Sequence, residues 1–187
     1  MFNLDKKLIE NSYKKIIDSL GDYVDQKGVK DTPKRVANTY EELLSGYTAD
    51  IEKIINNALF DVEYDQIVIV KNIRFYSLCE HHILPFFGKI DIGYLPNNKI
   101  IGLSKIPRIT QVFSKRLQVQ ERLTEQIGKA IFENTDALGA GVVINAQHMC
   151  SSMRGVNMPS TEMVTSSLFG TFKSDDATRK EFFDLIK

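Results

Sequence analysis

Apolar residues recur at helical spacing over the first third of the chain. The predicted helices cover residues 4–20, 31–46 and 51–57. Gly21 and Gly46 are expected to end the first two, and Thr32 is the expected cap of the second, with Pro33 in its first turn. Residues 1–60 are therefore expected to form a helical N-terminal region.

From residue 66 onward the pattern changes to that of β-strands. Residues 67–70 are a β-branched run, and apolar side chains alternate along residues 87–94, which predicts two strands. A Pro-Asn-Asn turn follows the second strand. Residues 99–103 are therefore expected to return as the hairpin partner of residues 87–94.

Two helices and two further strands complete the predicted order. Ser104 is the expected cap of one helix, and the next begins near Gln118 and buries a single apolar stripe: Leu123, Ile127, Ala130 and Ile131. Strands are predicted over residues 141–144 and 162–173, and Ser174 is expected to cap a final helix. This order predicts an α+β fold in which helices cover one face of an antiparallel sheet.

Composition narrows the class of protein. The chain has 187 residues and 43% hydrophobic content, enough for one core, so residues 1–187 are expected to form a single domain. Lys plus Arg and Asp plus Glu both number 24, so the net charge attracts neither nucleic acid nor an anionic membrane. Residues 1–7 lack the features of a signal peptide, and no apolar stretch approaches the length of a bilayer span. We therefore expect a cytoplasmic protein.

The cysteines and histidines fall into two short clusters, Cys79-Glu80-His81-His82 and His148-Met149-Cys150. In a reducing compartment the two thiols are expected to be free or to bind metal, and a Cys79–Cys150 disulfide is the alternative. The second cluster is predicted to continue a strand, which would project its histidine and cysteine to the same side. These are ligand types that bind zinc.

Three of these residues suffice for a catalytic metal site. Cys79, His82 and Cys150 would leave a fourth tetrahedral position for water, as in catalytic rather than structural zinc sites. His81 and His148 then remain for proton transfer. The alternative is that either histidine has only a structural, hydrogen-bonded role.

A basic segment lies downstream of the first cluster. Ser104, Lys105 and Arg108 place a hydroxyl and two cations in the opening turn of a helix, where free backbone N–H groups also attract anions. Arg154 adds a guanidinium four residues after Cys150. Two basic elements beside one metal pocket favour a phosphorylated substrate, and the alternative is a solvated basic surface.

Gln120 and Glu121 form the third candidate element. A glutamate accepts hydrogen bonds from two neighbouring N–H groups, so Glu121 with the amide of Gln120 could recognise the edge of a guanine base. The alternative is an ordinary exposed helix start, where the helix dipole favours Glu121.

Together these segments carry a resemblance to a known family. The motifs are Cys79-Glu80-His81-His82 with Pro85-Phe86-Phe87-Gly88, Gly102-Leu103-Ser104-Lys105-x-x-Arg108, Gln118-x-Gln120-Glu121-Arg122-Leu123-Thr124, and His148-x-Cys150 with Arg154-Gly155-Val156. In this order they resemble type I GTP cyclohydrolase, and the similarity extends from Thr32 to Lys173.

The resemblance implies both a fold and a reaction. Residues 61–187 would form the catalytic core of the tunnelling fold, whose subunits join their sheets into a barrel, usually as a homodecamer with active sites at subunit interfaces. GTP and water would give 7,8-dihydroneopterin triphosphate and formate, the first step of tetrahydrofolate biosynthesis. Zinc on Cys79, His82 and Cys150 would generate hydroxide to attack guanine C8.

The resemblance also implies a role for each remaining site residue. His148 would protonate the imidazole portion of the base and move protons during deformylation, with His81 as a second relay or orienting group. Glu121 and Gln120 would hold the guanine. The triphosphate and nearby oxygens would be bound by four residues: Ser104, Lys105, Arg108 and Arg154. Arg35 would contribute from an adjacent subunit.

Three positions depart from the family pattern. Asn38 stands where many relatives have a basic residue, Ser151 where a larger apolar residue is common, and Pro107 is an unusual occupant of the Ser-Lys motif. They bear on substrate affinity more than on reaction type.

Three other functions would use some of the same residues. A nitrile-reducing relative of the same fold would use a cysteine nucleophile and NADPH without zinc, and the paired histidine clusters oppose it. A zinc-stabilised binding protein would fill all four metal positions with protein ligands. A regulatory protein would bind GTP and leave it intact.

Overall fold

Helices precede the sheet in the structure, a computed structural model that describes residues 3–55 and 57–187. The N-terminal helices are α1 (Lys6–Asp18), α2 (Thr32–Leu43) and α3 (Ile51–Ile55), with short 3₁₀ turns at Gly21–Tyr23 and Ser45–Tyr47. In helix α2 the cap position is held by Asp31 rather than by the predicted Thr32, which is the first residue of the helix. Residues 1 and 2 of the predicted N-terminal region and residue 56 of the predicted third helix lie outside the described residues.

Five strands form one mixed sheet in the described part of the chain. The described residues contain seven strands in all, of which β1 and β4 form a separate pair: β1 (Leu59–Asp61), β2 (Val68–Cys79), β3 (Pro85–Leu95), β4 (Lys99–Ile101), β5 (Leu117–Gln118), β6 (Gly139–His148) and β7 (Met163–Gly170). The order in the sheet is β5-β2-β3-β6-β7, and the pairs are antiparallel except for β2 with β5. The sheet is therefore mixed at one edge rather than wholly antiparallel.

Strand β2 is much longer than the β-branched run that predicted it. The pairing of β2 with β3 shifts register between Val70 and Ile73, and Asn72 has a positive φ of 60° there. The backbone N–H of Asn72 donates to the carboxylate of Asp91 at 2.7 Å. This bulge interrupts the alternation of side chains, which is why the sequence pattern faded before Cys79.

The predicted hairpin between residues 87–94 and 99–103 is wrong. Strand β4 pairs with β1 instead, and Leu59 lies opposite Ile101. Both edges of β3 are already taken by β2 and β6, so β3 has no edge left for β4. Three residues without alternation gave β1 no recognisable strand signal.

Two helices cover one face of the five-stranded sheet. These are α4 (Lys105–Ser114) and α5 (Gln120–Asn134), and the predicted stripe on α5 is buried as expected. It packs in one core with Ile90, Ile92 and Tyr94, which are at most 1% exposed. Each large apolar side chain buried in this way contributes about 1.5 to 3 kcal/mol. This core fixes α5 on the sheet.

The last two helices are α7 (Thr171–Ser174) and α8 (Asp176–Ile186). Because of α8, helices pack on both faces of the sheet and not on one face alone, as was predicted. An added Cβ at the paired Gly93 or Gly141 would lie within 3.0 Å of the Phe182 ring. Gly93 follows Ile92 in the strand, so Phe182 packs on the face opposite α5. Asp175, rather than the predicted Ser174, caps α8, because its carboxylate accepts the Thr178 N–H at 2.7 Å.

The architecture is α+β and consistent with the tunnelling fold. The predicted strand over residues 162–173 ends at Gly170, where the chain enters α7. Across residues 3–55 and 57–187, no helix is both long and apolar enough to traverse a bilayer.

Candidate active site

The turn between β2 and β3 carries Cys79 and two histidines. Its shortest backbone hydrogen bonds run from Cys79 N–H to Leu84 O at 2.9 Å and from Ile83 N–H to Cys79 O at 2.8 Å. Ile83 has a positive φ of 54°, which is unusual for a β-branched residue and reverses the chain immediately after His82. As a result, the Nδ1 atoms of His81 and His82 each lie 3.8 Å from Cys79 Sγ.

Cys150 approaches this turn from a short helix. Strand β6 ends at His148, and Cys150 lies in the next element, helix α6 (Met149–Ser152). The expectation that both residues share one side of a strand is therefore wrong. The structure nevertheless brings together three potential ligand atoms, from Cys79, His82 and Cys150, within 4.8 Å of one another.

These three residues fit a thiophilic divalent cation. In a tetrahedral zinc site, bonds of about 2.1 Å to nitrogen and 2.3 Å to sulfur place those two atoms about 3.6 Å apart. The observed separation of Cys79 Sγ and His82 Nδ1 is 3.8 Å. Burial and the neighbouring Cys79 thiol raise the pKa of Cys150, while Arg154 acts in the opposite direction. A cation between the thiols would offset this cost of ionisation, so the donor set suits Zn²⁺.

His148 is held on two sides at the end of β6. Its ring stacks on Phe86, with 4.8 Å between the centroids and 6° between the planes. Its Nε2 lies 2.8 Å from Gln120 Oε1. Burial lowers the pKa of His148, and the nearby Glu121 carboxylate opposes that shift. The ring is therefore rigidly placed and favours its neutral form.

Gln120 determines which ring nitrogen carries the proton. Its amide nitrogen donates to the Ile144 and Met163 carbonyls at 3.1 and 2.9 Å, and to Thr165 Oγ1 at 3.1 Å. Its amide oxygen therefore faces His148 and must accept a hydrogen bond from Nε2–H. This leaves Nδ1 as the acceptor of the neutral His148 ring.

The predicted contact of Gln120 with guanine is in tension with this arrangement. The Gln120 side chain is 0% exposed, and both ends of its amide are engaged within the protein. The guanine contact stays a prediction, and it would require the amide to leave these partners.

Glu121 lines a groove beside the edge strand β7. It is exposed in the first turn of α5, and the groove has a volume of about 460 Å³. Its lining also includes Glu125, Thr165, Ser166, Phe169 and Lys173. The Glu121 carboxylate is therefore open to this groove, and its contact with guanine stays a prediction.

The predicted phosphate-binding residues occupy two separate elements. Ser104 stands at the cap position of α4, although its side chain makes no capping hydrogen bond, and Lys105 and Arg108 follow in the first turn. Arg154 is exposed in the segment after α6 and acts electrostatically on Cys150. Their role in binding phosphate stays a prediction.

Arg35 is not brought to the cluster within one chain. It is exposed on α2, which packs mainly against α1 rather than against the sheet. Its contribution from an adjacent subunit stays a prediction. Asn38 is exposed on the same helix, whereas Pro107 and Ser151 lie in α4 and α6. Their effect on substrate affinity also stays a prediction.

Sequence reasoning missed two contacts that organise the site. The Glu80 carboxylate accepts two hydrogen bonds from the Arg122 guanidinium, at 2.6 and 2.9 Å, and Arg122 holds the pKa of Glu80 below its usual range. Phe86 supplies the face on which His148 stacks. Both contacts involve residues inside the quoted motifs, but nothing in the spacing indicated that these residues would meet.

Comparison with known proteins covers nearly the whole chain. The family model for GTP cyclohydrolase I matches residues 9–187. GTP cyclohydrolase 1 of Campylobacter jejuni is 50% identical over 181 residues, which are 97% of this chain and 95% of that protein. GTP cyclohydrolase 1 of Leptospira biflexa is 52% identical over 179 residues, which are 96% of this chain and 98% of that protein.

Among solved structures, the archaeosine synthase QueF-Like in its apo form matches with a TM-score of 0.48 and 12% identity, covering 58% of this chain and 97% of that chain. A likeness at that level supports no statement about fold or activity. The family match and the curated relatives are decisive, and they agree with the motifs around both cysteines. The chain belongs to the GTP cyclohydrolase I family.

Proposed function

We propose that this protein converts GTP and water to 7,8-dihydroneopterin triphosphate and formate. As a member of its family it is a hydrolase that acts on the C–N bonds of cyclic amidines. The observation that carries the proposal is the convergence of Cys79, His82 and Cys150 beside a histidine held in one orientation. We further propose that the product enters tetrahydrofolate biosynthesis.

Cys79, His82 and Cys150 would hold Zn²⁺. When bound, the ion supplies a Lewis acid that activates water near neutral pH. The carbon released as formate is guanine C8, so the imidazole portion of the base must lie against this ligand set. Only three protein ligands converge among the described residues, which favours a catalytic site over a closed structural one.

His148 is the proposed proton carrier. Its Nε2 is engaged by Gln120, so we infer that proton exchange with the substrate takes place at Nδ1. A well-placed general acid or base typically contributes about 10²- to 10⁴-fold in rate. His81 is the proposed second relay, because it lies on the same turn with its Nδ1 3.8 Å from Cys79 Sγ. Gln120 then acts as a positioning residue for His148.

The substrate would be held at both ends. The Glu121 carboxylate can accept from two neighbouring N–H groups of guanine, and the groove beside it admits a base. Ser104, Lys105, Arg108 and Arg154 would bind the triphosphate. Because the chain has a formal net charge of zero, affinity for this anion must come from such local groups.

The proposed assembly is a homo-oligomer, specifically a decamer, in which the sheets of adjacent subunits join into a barrel. Strand β7 is an edge of the sheet, and β5 covers β2 only at Leu78 and Cys79. Two such edges can pair head to tail between subunits. Arg35 would then reach the site of a neighbour.

We also propose that residues 1–187 act as one cytoplasmic domain, with residues 1–60 as its helical region and 61–187 as its catalytic core.

The test is turnover of GTP by zinc-loaded protein. Formate is quantified directly, and the pterin is detected by its fluorescence after oxidation. The proposal predicts equimolar formate and pterin, both lost when a chelator removes the metal. GTP that binds but stays intact would support a regulatory protein instead, and NADPH consumption would support a nitrile reductase.

A further inference from the structure

One ion pair fastens the metal-ligand turn to the start of α5. The Glu80 carboxylate accepts hydrogen bonds from Nη1 and Nη2 of Arg122 at 2.6 and 2.9 Å. The backbone N–H of Glu80 also donates to the Gln118 carbonyl at 3.0 Å. The residue that follows the ligand Cys79 is therefore bound through both its main chain and its side chain to the segment that begins α5.

Three successive residues in the first turn of α5 lie against three different parts of the site. Gln120 lies inward against His148, Glu121 lines the groove, and Arg122 extends to Glu80. Leu123 follows with 0% exposure and anchors the turn in the core. A displacement of Glu80 relative to Arg122 would therefore change the distance between the metal ligands and the proposed guanine contact.

The pair is placed to orient the turn rather than to stabilise the fold. Its side chains are 43% exposed for Arg122 and 32% exposed for Glu80. Ion pairs that are this open to solvent add little to folding stability. A bidentate arginine–carboxylate contact nevertheless fixes two planar groups relative to each other, which a lysine cannot do.

We propose that Glu80 and Arg122 are positioning residues that set the metal-ligand turn against the guanine-binding turn. This inference rests on the proposed function, because the metal and guanine sites are parts of it. It assigns no direct contact with substrate to either residue. Its consequence is that the pair controls metal affinity and kcat without controlling stability.

The experiment compares Arg122→Met, Glu80→Gln and the double variant with the wild-type protein. Affinity for Zn²⁺ alone is measured by competition with a chromophoric chelator, kcat and KM are measured with GTP, and thermal unfolding reports stability. Arg179→Met is the matched control, since Arg179 pairs with Asp176 on α8, far along the chain from the ligand turn.

Each single variant is expected to lose about tenfold in Zn²⁺ affinity and in kcat, as is typical when an outer-shell partner of a metal site is removed. KM should change less, and the unfolding midpoint by only a few degrees. The loss of Zn²⁺ affinity in the double variant should not exceed the larger of the two single-variant losses, because both changes break the same contact. Arg122→Lys should recover part of the loss, and Arg179→Met should match the wild type.

Wild-type Zn²⁺ affinity in the Arg122→Met protein would overturn the inference. So would losses that multiply in the double variant, or a loss of affinity matched by a large fall in the unfolding midpoint. The zinc titration contains no GTP. A wild-type protein that releases no formate would therefore overturn the proposed function, whereas equal zinc affinities across the variants would overturn the positioning pair alone.

Discussion

Replacement of Gln120 by leucine separates its positioning role from the predicted guanine contact. Leucine keeps most of the side-chain volume but removes the amide that accepts from His148 Nε2 and donates to the Ile144 and Met163 carbonyls. His148 would retain its stacking on Phe86 and lose the contact that selects its tautomer. We expect lower kcat with unchanged zinc content.

The magnitude follows from the groups that lose a partner. The change leaves the His148 N–H without its acceptor and weakens two backbone acceptors, and each buried polar group deprived of a partner costs about 1 to 3 kcal/mol. Partial solvation of His148 and the apolar leucine offset some of this, so we expect a loss of about 2 to 4 kcal/mol in unfolding free energy. Since a correctly placed general acid contributes about 10²- to 10⁴-fold, kcat should fall by about 100-fold or less.

The assay combines chemical denaturation with steady-state kinetics on GTP. Gln126→Leu is the control, because Gln126 lies on the same helix and its amide oxygen accepts from Gln118 at 2.8 Å, not from His148. The control should lose about 1 kcal/mol of unfolding free energy and keep its kcat. A Gln120→Leu protein with wild-type kcat would refute the positioning role. A rise in KM with unchanged kcat would instead support the contact with guanine.

Two further predictions concern the packing of α8 and the binding of triphosphate. Gly141→Ala places a Cβ 2.9 Å from the buried Phe172 and Phe182 rings, so the unfolding free energy should fall by about 1 to 3 kcal/mol. The control is Gly102→Ala, where the added Cβ is not crowded, and an equal loss in the two variants would contradict this packing. Lys105→Ala should raise KM for GTP about tenfold with little change in kcat, because a charge-assisted contact present throughout the reaction affects binding alone; an unchanged KM would remove Lys105 from the site.

The core of the sheet could be predicted because its pattern is local. Ile90, Ile92 and Tyr94 occupy every second position of their strand, and the stripe on α5 repeats at helical spacing. The buried face of each element can therefore be predicted from the spacing of its apolar residues. The pairing of β4 with β1 could not be predicted in this way. It depends on which strand edges remain open after β2 and β6 have flanked β3, and that is a property of the whole fold.

The site shows the same division between ligand identity and geometry. The metal cluster could be predicted from residue type, since thiols and imidazoles were concentrated in two clusters, even though Cys150 reaches it from a helix rather than a strand. The role of Gln120 could not, because the Ile144 and Met163 groups that orient its amide toward His148 are remote in sequence and are backbone carbonyls. Backbone partners leave no mark on side-chain composition.

The central claim is that the clustered residues divide into metal ligands and a proton carrier. The most direct measurement determines zinc content and formate release from GTP side by side for Cys150→Ser and His148→Ala. We predict that Cys150→Ser loses zinc and formate release together, whereas His148→Ala keeps one zinc per chain and releases almost no formate. Full zinc content with wild-type formate release in Cys150→Ser, or wild-type formate release in His148→Ala, would contradict this division.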